Sequence, residues 1–218
     1  MAKISIGVRY INILFTIYMV SLIACSLFFY YRISVLEKAF ALVNHTIDVK
    51  LKLEQTLSNL RDAETEQRGF LLTNDSFFLE HYNDARKKTF EKLATVQTLT
   101  EYNPQQKANV IILNELISKR FTALETVMIH SNFNTLNIHD KKELLVNGKN
   151  IMDEVRAQVE TMRSIENELL SNRQAKKEEA IEMTPIYVMG VLVFSLLILV
   201  ACYIAMQRFK LKQASLSF

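Results

Sequence analysis

Glycine and proline are nearly missing from this chain, which holds four of the one and two of the other in 218 residues. So few glycines cannot build a phosphate-cradling loop, and neither a GxGxxG run nor a P-loop pattern occurs. Such scarcity instead removes the usual helix breakers and favours long helices. Cysteine is as sparse. Cys25 and Cys202 each lie inside an uncharged apolar run, so neither a disulfide framework nor a thiolate metal site is available to the middle of the chain. The histidines, His45, His81, His130 and His139, are scattered, and no HExxH pairs any two of them. Ser, His and Asp occur without a nucleophile motif. These absences point away from an enzyme and imply no cofactor and no metal.

Acidic residues are missing from both ends. All 23 lie between Glu37 and Glu182. The flanking tails carry only base: Lys3 and Arg9 at one end, Arg208, Lys210 and Lys212 at the other. Between tails and middle lie two stretches with no charge, Tyr10–Tyr31 and Met183–Gln207. Each is longer than the ~20 residues a helix needs to cross a bilayer. The first ends in Phe28-Phe29-Tyr30-Tyr31 rather than in small residues, so it reads as a retained membrane helix and not a cleaved signal. Basic tails on both ends place both termini in the cytoplasm. The expected organisation is a cytoplasmic tail (1–9), a membrane helix (10–31), an extracytoplasmic middle (32–182), a second membrane helix (183–207) and a cytoplasmic tail (208–218). The middle is slightly acidic, which gives no reason to expect nucleic acid. In both apolar runs small residues recur at four-residue spacing, as Ser21/Cys25 and Ala201/Ala205, a spacing that permits close helix approach.

Helical periodicity fills the middle. Ile33, Leu36, Phe40, Val43 and Ile47 form a heptad stripe, and Leu53, Leu57, Leu60, Glu64, Gln67 and Leu71 form a second, offset by one residue. With no glycine or proline between Gly7 and Gly69, one helix can run from the membrane into this stretch, roughly 60 Å at ~1.5 Å per residue. A second helix is expected from Ser76 to about Glu101, with Phe78, Tyr82, Ala85, Phe90, Leu93 and Val96 inward. Asn103 as cap, Pro104 at the first helical position and Gln106 reaching back as in a capping box mark the start of a third. That helix carries Val110, Leu113, Ile117, Leu124 and Val127. Ser131–Asn137 reads as a loop. A fourth helix begins near His139, meets a possible kink at Gly148 and continues through Met152, Val155, Val159, Met162, Ile165 and Leu169. Gln174–Glu182 reads as a solvated stalk, and Pro185 as a joint at the membrane edge. Four amphipathic helices with short connections predict an all-α, antiparallel four-helix bundle flanked by two membrane helices.

One place interrupts this pattern. Glu64, Gln67 and Arg68 occupy positions where the apolar stripe should continue, Gly69 follows, and Thr73-Asn74-Asp75 is a turn. Glu64 and Arg68 stand four apart with the acid first, the better orientation for a helical ion pair. The reading adopted is a structural polar layer made of Glu64, Gln67, Arg68, Gly69 and Asp75 that fixes helix register. The other is a layer that contacts a ligand.

The run Ala63-Glu64-Thr65-Glu66-Gln67-Arg68-Gly69-Phe70-Leu71-Leu72-Thr73-Asn74-Asp75 resembles the AETGQRGYLLTGD-like signature of the CHASE domain of type 3, an extracytoplasmic sensory domain of bacterial membrane receptors. Supporting matches extend from His45-Thr46 through Asn103-Pro104-Gln105 and Gly148-Lys149 to Glu168-Leu169-Leu170, so the resemblance covers roughly Ile33 to Arg173. Glu66 and Asn74 depart from the signature, where glycine is common. The resemblance implies a sensory receptor module of a bacterial inner membrane, whose family members head histidine kinases, cyclases or chemoreceptor-like proteins. Their ligands are largely undefined, so none is carried over. No such output follows in this chain, so the partner is expected in cis, were the chain truncated, or in trans. A parallel homodimer is expected as well. From another class, the alternative is a membrane-anchored structural or partner-binding helical protein with no ligand.

Overall fold

The structure, a computed structural model, describes residues 2–129 and 137–214, without the side chains of 1–11, 14, 141 and 209–214. The expected loop at Ser131–Asn137 falls almost wholly outside the described residues, as do the side chains of the basic tails at Lys3, Arg9, Lys210 and Lys212. Among the described residues four helices follow in order: α1 (Ala2–Thr73), α2 (Ser76–Thr100), α3 (Pro104–Ile129) and α4 (Ile138–Ala214). The chain separates into two units, one made of residues 42–172 and the other of residues 1–41 with 173–218.

The unit of residues 42–172 is an antiparallel four-helix bundle, and its side-chain bonds record the direction of each helix. His45, early in the unit, donates from Nε2 to the Leu99 carbonyl at the end of α2 (2.9 Å). Arg86 of α2 pairs with Glu125 of α3 at 3.2 Å. Gln106 at the start of α3 reaches Met162 and Glu166 of α4, and Lys50 of α1 donates to Asn167 of α4 at 2.6 Å. Up, down, up, down is the order these contacts require. The core runs the length of the bundle through Val49, Leu53, Leu60, Leu113, Ile117, Leu124, Val155 and Met162. A fully buried side chain of this size contributes about 2 kcal/mol through removal of apolar surface from water.

The inward faces differ in detail from an apolar-only reading. On α1 the buried line is Val43, Thr46, Val49, Leu53, Thr56, Leu60, Ala63 and Gln67, while Ile47 is 46% exposed. Two successive steps of three at Val43, Thr46 and Val49 coincide with the expected offset between stripes. The threonines are tolerated inside because each folds its hydroxyl onto the carbonyl four residues back: Thr46 to Leu42, Thr56 to Lys52, Thr89 to Ala85 and Thr100 to Val96. On α2 Thr89 takes a core position, and Phe90 is only partly buried against the core.

The joints also resolve. Asn74 adopts φ 53°, the left-handed geometry a short polar side chain accepts, and its N–H donates to the Phe70 carbonyl at 2.8 Å to close α1. Asp75 then caps α2, accepting from the Phe77 N–H at 2.9 Å. Asn103 caps α3 by accepting from the N–H groups of Gln105 and Gln106, with Pro104 first in the helix. Asn137 caps α4 by accepting from the Asp140 N–H, and its side-chain amide donates to the Asp140 carboxylate. α4 runs as helix through Gly148 and through Pro185.

The unit of residues 1–41 and 173–218 pairs the remaining lengths of α1 and α4. The Phe28 and Tyr187 rings meet edge to face at 5.7 Å, Arg32 stacks on Tyr187 at 4.5 Å, and Lys177 sits over Phe40 at 5.0 Å. These contacts ascend α1 as they descend α4, so the two run antiparallel. The stretch expected as a solvated stalk keeps mostly exposed side chains, but Ala180 is buried and Lys177 lies on Phe40. Among the described residues both helices hold a segment long and apolar enough to cross a membrane, with no buried side chain in its most apolar window.

Candidate functional site

The five residues expected to form one polar layer divide into separate duties. Gln67 alone enters the core, 5% exposed, where its amide donates to the Leu124 carbonyl of α3 at 2.9 Å. Gly69 is required by packing, since a Cβ there would lie 2.9 Å from Cγ of Phe78. The signature glycine is thus the place where α2 crosses the end of α1. Asp75 serves as the α2 cap. Glu64 and Arg68 do pair, at 2.5 Å, but Arg68 points outward with a side chain 69% exposed.

Glu64 has a second and more buried partner. Its Oε2 lies 3.2 Å from Nη2 of Arg120 on α3, a residue only 6% exposed. Glu64 therefore bridges an inner and an outer arginine. Across the bundle, Gly148 of α4 leaves the room that Arg120 occupies: a Cβ at Gly148 would be 2.7 Å from Arg120 Nη1. Gly148 is thus a close-approach position. Nε of Arg120 is buried and has no hydrogen-bond acceptor.

Around this bridge opens a cleft of about 540 Å³ between α1, α3 and α4, within the size range of small-molecule sites. Its apolar wall includes Leu71, Leu72, Val127, Leu144, Leu145 and Met152; its charged lining is Arg68, Arg120, Lys149 and Arg156 against the single carboxylate of Glu64. Lys149 and Arg156 are in turn held by Asp153 at 2.8 and 2.9 Å. The hydrogen bond from Lys149, with Arg156 adding to it, holds the Asp153 carboxyl below the ordinary carboxylate range. Beside the cleft, burial pushes the Tyr82 phenol up to about 12, with Glu125 adding to the rise and Arg86 and Arg120 opposing it.

The other end of the bundle holds a second polar cluster. Glu166 is fully buried; its Oε1 accepts from Gln106 Nε2 at 2.8 Å while Oε2 has no partner. Gln106 was expected to reach back to the Asn103 N–H. That N–H already donates to the Thr100 carbonyl at 3.0 Å, so the Gln106 side chain is released to cross to α4, where it donates to the Met162 carbonyl and to Glu166.

Arg120 and Glu166 escaped the reading of the sequence, although each left a signal. Arg120 stands three residues after Ile117 and four before Leu124, in register with the α3 stripe. Glu166 continues the spacing of Met152, Val155, Val159 and Met162, which an eye following apolar residues carries to Ile165 instead. Pro185 lies in the other unit, where the Thr184 hydroxyl donates to the Ala180 carbonyl at 2.6 Å just before it. Among the described residues no group of histidine, cysteine and acidic side chains could hold a metal ion.

A family model described as the CHASE3 domain matches residues 39–176. Comparison with curated proteins and with solved structures gives no match.

Proposed function

The chain belongs to the CHASE3 domain family of sensory extracytoplasmic domains, and we propose that it is a membrane-bound receptor module that passes an external signal inward. The observation that carries this reading is the sharing of elements. α1 and α4 each supply both the matched bundle and an apolar segment long enough to span a bilayer. A change of packing among Gln67, Leu124, Glu64 and Arg120 acts on α1 directly and on α4 through Arg120, which lies against Gly148, and shifts of ~1–2 Å between packed helices are an established form of switch. In this reading the bundle faces the outside of a bacterial inner membrane and both termini face the cytoplasm, as the basic tails support. The output is a histidine kinase or similar protein, in cis or in trans, and the chain performs no catalysis itself. A second copy of the chain completes the unit. Ile47 and Leu51, apolar, four residues apart on α1 and about half exposed, support such pairing.

Disulfide cross-linking in membranes tests transmission. Single cysteines are placed along residues 15–29 in a background of Cys25→Ser and Cys202→Ser, with and without Glu64→Gln. The expected result is cross-linking with helical periodicity, whose strongest positions or yields change with Glu64→Gln. A pattern indifferent to that substitution would count against transmission and favour an anchored structural protein.

A further inference from the structure

We propose that the cleft beside Glu64 and Arg120 is a binding site for a small amphiphilic oxyanion, a carboxylate or phosphomonoester head on an apolar body. The inference rests on the sensory reading and names the ligand class for that same bundle.

Three observations converge on it. The first is charge. Arg68, Arg120, Lys149 and Arg156 line the cleft against the one carboxylate of Glu64, so the site has an excess of positive charge even when Asp153 is counted with Lys149 and Arg156. Cationic ligands are disfavoured there and anions attracted.

The second is the state of Arg120. A guanidinium that is more than nine-tenths buried normally has its donors occupied, because an unpaired buried polar group is costly. Arg120 has Nη2 on Glu64, which is shared with Arg68, and has no acceptor at Nε. The planar fork of arginine matches the two oxygens of a carboxylate or phosphate. Arg68, 69% exposed and tethered to Glu64, can swing to the same head group.

The third is the remaining wall. Leu71 and Leu72 from α1, Val127 from α3, and Leu144, Leu145 and Met152 from α4 offer apolar surface that an inorganic ion would leave unused. Leu72 and Leu145 are exposed, 86% and 59%, at the mouth. A guest with an apolar body covers them and gains from doing so. Because the head group competes with Glu64 for both arginines, binding redistributes ion pairs that join α1 to α3 beside the Gly148 surface of α4.

Isothermal titration of the full chain in lipid nanodiscs, with empty nanodiscs subtracted, tests this with four probes: hexanoate, hexyl phosphate, hexylammonium and inorganic phosphate. The expected result is saturable binding of hexanoate or hexyl phosphate, the stronger of the two identifying the head group, and at least tenfold weaker binding of hexylammonium and inorganic phosphate. Arg68→Gln and Leu72→Asp, both at exposed positions where folding is little affected, should each weaken binding of the preferred probe by at least tenfold. Arg61→Gln, which pairs with Glu54 away from the cleft, should leave it unchanged. Failure of both hexyl oxyanions to bind overturns the proposal, as does equal binding of hexylammonium or of inorganic phosphate, or indifference to both cleft substitutions. If the hexyl oxyanions fail while Glu64→Gln still alters the cross-links, the ligand class is wrong and the sensory reading stands.

Discussion

The two ends of the bundle solve the same problem, a polar side chain in a buried stripe, in opposite ways. At one end Gln106 and Glu166 are both fully buried and bonded to each other. At the other, Glu64 is 18% exposed and bridges a buried arginine to a solvated one beside an open cleft. A sealed pair is dominated by desolvation, so its members matter to folding and are poorly placed to answer anything outside. An open pair with surplus positive charge can exchange partners with a guest. That contrast assigns stability to the Gln106 end and responsiveness to the Glu64 end.

The largest effect that would sharpen this contrast is at the sealed end. Gln106→Leu leaves the Glu166 carboxyl buried with neither oxygen bonded, and should lower stability by about 3 kcal/mol. Gln106→Leu with Glu166→Leu should recover most of that loss, because two apolar partners leave no polar group unsatisfied. Denaturant or thermal unfolding followed by circular dichroism reads both. A double variant no more stable than the single one would break the comparison.

A smaller effect is expected at the open end, and an unequal one. Glu64→Ala deprives Arg120 of its carboxylate and should cost about 2 kcal/mol, discounted from the fully buried case because Glu64 is partly solvated. Arg68→Ala removes only an exposed partner and should cost at most about 0.5 kcal/mol. Equal losses in the same unfolding assay would mean that Glu64 serves Arg68 as much as Arg120.

The smallest effect at neutral pH belongs to Tyr82, whose hydroxyl has no hydrogen-bond partner. Tyr82→Phe should leave stability at pH 7 unchanged within about 0.5 kcal/mol, since no bond is lost. Its signature is alkaline. With the folded phenol raised from 10.0 to about 12, mainly by burial, the unfolded chain releases the proton first as pH rises. Stability is then fully present below pH 10 and falls between pH 10 and 12. A series of Tm values across that window should show the fall, and Tyr82→Phe should reduce it. A Tm profile the same in both proteins would place the phenol in contact with solvent.

Much of the architecture was legible before any coordinates. Two apolar runs, the lack of breakers between Gly7 and Gly69, the turn at Thr73–Asp75 and the cap at Asn103 depend on local chemistry and neighbours a few residues away. Gln106 shows where such reading stops: its spacing from Asn103 matches a capping box, yet the Thr100 carbonyl already satisfies the Asn103 N–H and frees the amide for α4. Gly148 likewise reads as a weak point in a helix and is instead the space that admits Arg120. Thr46, Thr56, Thr89 and Thr100 stand outside the apolar stripes and are buried all the same, because each hydroxyl meets the carbonyl four residues back.

Composition, charge placement and periodicity therefore determined the helices, their order, the apolar segments and the signature at Glu64–Asp75, because these follow from properties that each residue carries with it. The pairing of Glu64 with Arg120, the burial of Glu166 beneath Gln106 and the cleft against α4 join residues some 56 to 60 positions apart or more, and packing alone brings them together. A charge within an apolar stripe announces that a partner is needed; only the neighbouring helix decides which one, because the partner is selected by distance in space and by the cost of leaving a buried charge alone.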